Sequence, residues 1–370
     1  MAPEALTTSA VHAPTVAKLA AISLSPELPS VPEDITATWL SEVLGQKVKS
    51  VKLDRVMPGT ATKVFITVTY EDEHASLPSQ FCIKGGFNPD FIKMMPFVVM
   101  IYQREVDFYN NVAPLLKHMD LPKTWWAGHS TTQGIVIMDN LETKGHQFGT
   151  PTTPWSVPSV LSGIEQLAAL HSKTWGVKNT DYPWLTSDYD QALLHLIQTY
   201  EQVVRSPGRP TIPEYMKDQE RMTAVLKKHY GSRNPKFHCL LHGDSHVSNT
   251  YLVDGAARFL DWQMIHIGSA FHDVAYLIGG ALDVETRRAR ELDILEFYLR
   301  SLEKLGGPVL SVKDEDVMIE YRKSLLAGVG PIMCPYEMQP KEWVFPMAER
   351  YAAALDDHKV LELVESLPDI

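Results

Sequence analysis

The apolar positions change their period partway along the chain. In the first third they come in short β-branched and aromatic runs. Lys63-Val64-Phe65-Ile66-Thr67-Val68-Thr69-Tyr70, Gln80-Phe81-Cys82-Ile83-Lys84 and Gly134-Ile135-Val136-Ile137-Met138 all read as strands. The polar stretch from Glu71 to Ser79 joins the first two, so an antiparallel pair is predicted. Val31-Pro32-Glu33-Asp34 ahead of Ile35 to Leu44 predicts a short helix with Asp34 as its N-cap. Phe97 to Met119 predicts a long helix that Pro114 kinks or ends. Beyond Met138 the period becomes helical. Val160 to Trp175 carries apolar residues at 160, 161, 164, 167, 168 and 175. Glu285 to Leu305 follows, stopped by Gly306-Gly307, then Asp314 to Ala327 and a last helix from Met347 onward. Strands first and helices later predict an α+β chain of two lobes that meet near residues 138–145.

Composition narrows the function classes. The chain has 370 residues, 45% hydrophobic and 21% charged, which suits a folded globular protein and excludes a largely disordered one. Lys and Arg number 34 against 45 Asp and Glu, a net charge of −11. That balance argues against nucleic acid or an anionic lipid surface as partner, although a local basic site for phosphates is compatible with it. Cys82, Cys239 and Cys334 are far apart and lack metal-ligand spacing, so a reducing compartment, by default the cytoplasm, is expected. No apolar run approaches the roughly 18 residues that span a bilayer, and no membrane insertion is expected. Residues 1–30 are rich in Ala, Ser, Thr and Pro, without Arg or a long apolar core, and read as a flexible tail.

The chemistry concentrates between residues 240 and 263. Leu240-Leu241-His242-Gly243-Asp244-Ser245-His246-Val247-Ser248-Asn249 leads into Thr250-Tyr251-Leu252-Val253, an Asp254-Gly255 turn, and Ala257-Arg258-Phe259-Leu260-Asp261-Trp262-Gln263. Two short apolar runs about an Asp-Gly turn form a hairpin. Asp244, Asn249 and Asp261 therefore converge at one of its ends. Asn249 and Asp261 supply hard oxygen ligands for a metal-bound triphosphate. Asp244 supplies a proton acceptor that also aims an attacking hydroxyl. A solvated loop of Asx turns explains any one of these residues, but not the three in this context.

His242-Gly243-Asp244, Asn249 and Asp261-Trp262-Gln263 resemble the catalytic and metal-binding loops of the aminoglycoside phosphotransferase and choline kinase superfamily. Leu260-Asp261-Trp262-Gln263 and Phe271-His272-Asp273-Val274-Ala275-Tyr276-Leu277 are most similar to its ecdysteroid-kinase-like branch. The resemblance spans residues near 55 to 280 and is strongest over 242–277. It implies a bilobal, protein-kinase-like α+β fold. Residues 31–138 would be a small antiparallel-sheet N-lobe that binds the nucleotide, and residues 139–370 a larger, mainly helical C-lobe. It further implies ATP and Mg2+ as cofactors, with Asp244 as base and Asn249 and Asp261 as metal ligands. His242 would be structural, and Asp273 would anchor the loop. Lys84 would hold phosphates, paired with Glu105 in Arg104-Glu105-Val106-Asp107-Phe108-Tyr109. Gly59 and Thr60, in Pro58-Gly59-Thr60-Ala61-Thr62, would cover the phosphates, although this stretch is neither GxGxxG nor a Walker loop and also reads as an ordinary turn. Met138, Asp139 and Asn140 would form the interlobe hinge against the adenine. His171 reads as a hydrogen-bonded core histidine.

Only residues 262–272 separate Asp261 from Asp273, and Ala-Pro-Glu occurs only as Ala2-Pro3-Glu4, in the tail, so a peptide acceptor is disfavoured. A small hydroxylated molecule is expected instead. Trp155, Trp184, Trp262, Tyr336 and Trp343 are candidates for an aromatic wall, with Glu337 and Glu342 at its rim. Aromatics with carboxylates favour a cationic amino alcohol or aminoglycoside. Aromatics alone favour a lipophilic or neutral alcohol, the side to which the branch resemblance tilts. A pseudokinase would lack one of Lys84, Asp244, Asn249 or Asp261, and all four are present. A metallophosphatase needs further His and Asp motifs that are missing. Gly128-His129-Ser130-Thr131-Thr132 lacks the last glycine of a serine-hydrolase elbow.

Overall fold

The computed structural model describes residues 27–185 and 189–368; residues 1–26 of the expected tail lie outside them. The Pro29 carbonyl accepts a hydrogen bond from Gln133 Nε2 at 2.9 Å, so the end of that stretch is fastened to the first lobe. Five strands form one antiparallel sheet. They are β1 (Val48–Met57), β2 (Thr62–Tyr70), β3 (Gln80–Gly85), β4 (Thr124–His129) and β5 (Gly134–Asp139), in the order β1-β2-β3-β5-β4. Period-two alternation gives the sheet two unlike faces. Val64, Ile66, Val68, Phe81, Ile83, Ile135 and Ile137 pack against Trp39 and Leu40 of helix α1 (Ala37–Leu44). Phe65, Cys82, Val136 and Met138 point the other way and join the large core shared with the second lobe.

Two N-lobe expectations are corrected. Thr36, not Asp34, caps α1: its side chain accepts from Trp39 N–H. The Asp34 carboxylate is engaged upstream, by the N–H groups of Ser30 and Val31. After helix α2 (Pro89–Met94), helix α3 (Val98–Asp107) ends well before Pro114. A π-helical turn, Phe108–Val112, takes over. Its extra width turns both Phe108 and Tyr109 into the core. Phe108 lies flat on Trp262 of the second lobe, with centroids 3.9 Å apart and 6° between planes.

The second lobe is mainly helical. Helix α4 (Val157–Thr174) is followed by α5 (Tyr189–Leu196), α6 (Tyr200–Val204) and α7 (Gln219–Gly231). Further along come α8 (Ala270–Ala281), α9 (Val284–Lys304), α10 (Glu315–Ser324), α11 (Val329–Met333), α12 (Lys341–Asp357) and α13 (Val360–Ser366). Asp283 caps α9 by accepting from Thr286 N–H at 2.8 Å, and Gly306 closes it with a φ of +90°. The last expected helix starts at Lys341 rather than Met347. Pro346 is accommodated near its N-terminal end, where the one lost backbone bond falls beside exposed residues. Small strands carry the loops: β6 (Gln147–Phe148) pairs with β8 (Thr250–Val253), β8 with β9 (Ala256–Phe259), and β7 (His238–Leu241) with β10 (His266–Ser269).

Truncating the ring that bridges the lobes leaves Trp262 without its stacking partner. Phe108→Ala is expected to cost about 3–5 kcal/mol in urea unfolding. A loss under about 1 kcal/mol would show that this stack does not join the lobes.

Candidate active site

The hairpin β8–β9 closes with the Thr250–Phe259 and Val253–Ala256 pairs about the turn at Asp254-Gly255, where both residues have positive φ. It brings Asn249 and Asp261 to the same end: Leu260 N–H donates to the Asn249 carbonyl at 2.8 Å. Asn249 Nδ2 donates to Asp244 Oδ2 at 2.8 Å and to the Asp244 carbonyl at 2.9 Å. Asp261 has φ +65° and ψ +70°, a left-handed conformation that a residue with a Cβ adopts at a cost. The turn sets its carboxylate toward the other lobe.

Across the cleft, Lys84 on β3 is held between two carboxyl groups. Its Nζ is 2.6 Å from Glu105 Oε2 on α3 and 2.7 Å from Asp261 Oδ1. The Lys84 and Glu105 side chains are each 4% exposed. Burial alone would lower the Lys84 pKa, but Asp261 and Glu105 outweigh it and keep it an ammonium. Burial likewise pushes the Asp261 carboxyl up, and Lys84 and then Lys63 more than reverse this. For Glu105, burial wins and raises the carboxyl against the opposing charge of Lys84. Trp262 N–H also donates to Glu105 Oε1, at 3.2 Å.

Sequence reasoning missed Lys63. It pairs with Lys84 across β2 and β3, so both point to the cleft side, and its charge is felt at Asp261 and at Cys82. The signal was available: in a two-residue period, Lys63 shares a face with Phe65.

The loop of residues 242–249 hangs on Asp273 of α8. Its Oδ2 accepts from His242 N–H at 2.6 Å and its Oδ1 from Gly243 N–H at 2.9 Å, while its carbonyl accepts from the Ser245 hydroxyl at 2.9 Å. His171 Nε2 is 3.2 Å from the same carboxylate, and its Nδ1 is 2.9 Å from the Tyr298 hydroxyl. Burial pushes the Asp273 carboxyl up, but the His171 hydrogen bond and the surrounding imidazoles hold it well below the ordinary range. His242 is fully buried, its Nε2 on the Leu260 carbonyl and its Nδ1 accepting from Asp244 N–H, and burial lowers its pKa. Gly243 is required: its φ is +81°, and a Cβ would stand 2.2 Å from the Met264 carbonyl.

His246 is a further residue beside the predicted base. Its Nδ1 accepts from Ser248 N–H, which leaves Nε2 facing Asp244 Oδ2 at 3.4 Å. Burial would lower the His246 pKa; the Asp244 charge raises it instead. The Asp244 carboxyl, pushed up by burial, is brought below its ordinary value chiefly by His246.

Among the described residues no group of three or more His, Cys, Asp or Glu side chains is placed to hold a metal ion. A cation here would be held by the oxygens of Asn249 and Asp261 and complete its shell from phosphate and water, as a small hard ion does. The donor set fits magnesium with a polyphosphate.

Gly59 and Thr60 lie exposed in the bend between β1 and β2. The Thr60 carbonyl is fastened to the Tyr102 hydroxyl of α3, beneath which Ala61, Val98 and Tyr102 pack. Met138, next to last in β5, faces the cleft side. The Asp139 carboxylate is taken by Trp125 Nε1 at 2.8 Å and by Lys144, while its N–H serves the Lys123 carbonyl. Asn140 caps the next turn through Glu142 N–H. The hinge side chains are thus spoken for within the protein. Trp155 and Trp262 are core residues, which corrects their place in an acceptor wall, and Glu337 and Glu342 are exposed.

The sequence model of the ecdysteroid kinase-like family matches residues 60–306, more than half of the chain. The chain belongs to this family. No curated protein matches it. Solved structures similar to it include a Ralstonia eutropha protein assigned as an aminoglycoside phosphotransferase, at 12% identity over 90% of this chain and 98% of that one, with a TM-score of 0.52. Another is an amicoumacin kinase in complex with AMP-PNP, Ca2+ and Ami, at 11% identity over 83% of this chain and 88% of that one, TM-score 0.50. At such identities the likeness establishes the fold: the α+β, bilobal, kinase-like fold that the family's sequence features imply.

Loss of the anchoring charge should loosen the whole loop. Asp273→Asn is expected to cost about 3 kcal/mol at neutral pH, since two backbone donors and His171 lose a buried carboxylate. The folded pKa is depressed, so this contribution is complete above about pH 4 and is lost as pH falls further. Urea unfolding of both proteins between pH 3 and 7 checks it; a gap that widens toward acid would contradict the assignment.

Proposed function

We propose that the protein is an ATP-dependent kinase that transfers the γ-phosphoryl group to a hydroxyl of a small molecule. The observation that carries this reading is the Lys84–Asp261 contact at 2.7 Å, which joins an ammonium of one lobe to the hairpin of the other beside Asp244. Bound magnesium would neutralise phosphate charge between Asn249 and Asp261. Lys84, oriented by Glu105, balances negative charge on the phosphates, and Lys63 adds a second cation to the same side. Asp244 is kept ionised chiefly by His246 and is fixed by Asn249. It aims the acceptor hydroxyl and takes its proton as the oxygen bonds to the γ-phosphorus and ADP leaves. The backbone of Gly59 and Thr60, and of Met138 to Asn140, line the phosphate and base ends.

A neutral or lipophilic alcohol is the favoured acceptor. Tyr336, an aromatic candidate for gripping an ammonium, already carries the chain's own cations: Arg209 lies 4.7 Å and Lys341 5.9 Å from its ring centroid. That occupancy favours an uncharged molecule over an amino alcohol. The family's description as ecdysteroid kinase-like agrees with that preference.

Asp244→Ala is expected to lower turnover on the order of 10²–10⁴-fold while Mg-ATP still binds. Asp261→Ala should weaken Mg-ATP binding itself about tenfold or more. Label transfer from γ-labelled ATP to a panel of hydroxylated metabolites supplies the turnover, and calorimetry the binding. Ordinary turnover in the first variant, or unchanged binding in the second, refutes the assigned roles.

A further inference from the structure

Beside the phosphate lysines, the sheet carries a planar cation that the reaction as described does not use. Arg55, Phe65, Cys82 and Met138 are successive partners in one row across β1, β2, β3 and β5. The neighbouring row on the same face is Met57, Lys63, Lys84 and Val136. The two rows are two residues apart along each strand, about 7 Å. One row therefore presents two ammonium groups and the other a flat surface.

The Arg55 guanidinium lies over the Phe65 ring, 4.3 Å from its centroid. Its Nη2 pairs with Glu142 Oε1, just past the interlobe connection. Because Arg55 lies over Phe65 on this face, its partner Glu142 sits on the same side of the sheet. The Arg55 and Glu142 side chains are 48% and 43% exposed. The pair thus spans the open end of the cleft, with Phe65 as its backing.

We infer that Arg55 is a nucleoside-binding residue: the planar base of the nucleoside triphosphate stacks on the guanidinium face turned away from Phe65, and Glu142 fixes the tilt of that face. This rests on the cleft being the nucleotide site. A guanidinium is planar and weakly hydrated, so it stacks on aromatic surfaces where an ammonium only offers charge. Phe65 on one side and a base on the other complete a three-layer stack. The triphosphate then extends along the strands toward Lys63 and Lys84, which is the direction the two rows require.

The test compares Mg-ATP with Mg-tripolyphosphate, which has the phosphates but no base, by calorimetry on the full chain. Arg55→Ala and Arg55→Lys should each weaken Mg-ATP about fivefold or more. Tripolyphosphate affinity should change less than about twofold, because the stack is absent from that ligand. Glu142→Gln should produce a smaller loss in the same direction. Thermal melting confirms that each variant is folded, and the lysine variant retains the charge if the alanine variant is unstable. Wild-type affinity for Mg-ATP in Arg55→Lys overturns the inference, since charge alone would then suffice. Equal losses for both ligands in Arg55→Ala overturn it as well. If the unmodified protein binds Mg-ATP but not tripolyphosphate, the lysine variant decides alone. An unmodified protein that binds neither ligand refutes the nucleotide site and this inference with it.

Discussion

An ammonium buried between two carboxyl groups holds this molecule in its working arrangement. Lys84 comes from the sheet, Glu105 from the helix behind it, and Asp261 from the far lobe. Moving such groups out of water costs several kcal/mol each, and the cost is recovered only when all partners are in place. The contact therefore adds little to net stability, yet it penalises any arrangement in which the lobes are displaced. The triad also carries more negative than positive groups, and Lys63 on the neighbouring strand offsets the excess. With Lys63 included, the charges around the triad are close to balanced.

The second lobe solves a different problem, that of keeping acidic groups ionised in a buried loop. Asp273 is stabilised by backbone N–H groups and His171, and Asp244 by Asn249 and His246. In each case directed donors replace water, and most of them are neutral. The loop can therefore concentrate carboxylates at one place without importing an equal number of fixed cations.

Much of this was legible from residues alone, because the chemistry lies in one contiguous segment. The hairpin follows from apolar alternation about Asp254-Gly255, and the meeting of Asn249 with Asp261 follows from the hairpin. Three of the sheet's five strands were legible from their β-branched and aromatic runs; β1, which is mostly exposed, and β4, whose Trp125-Trp126 pair packs without a clear alternation, were not. What escaped was decided by tertiary packing. The π-helical turn at Phe108 exists because two adjacent aromatics both find places inside, and no local propensity announces that. Helices α5 and α6 have only 8 and 5 residues, so their formation depends on what they cover. Lys63 was visible but ambiguous: one face of a strand is named only when the sheet's neighbours on both sides are known.

The Tyr102 hydroxyl grips the Thr60 carbonyl, and one turn further along the same helix Glu105 grips Lys84. The bend between β1 and β2 and the Lys84 ammonium are thus two loads on one short rod. Tilting α3 displaces both together, so a pull on the bend is transmitted, through some three residues of helix, to the Lys84 charge. The roof of this cleft and its floor answer to a single lever.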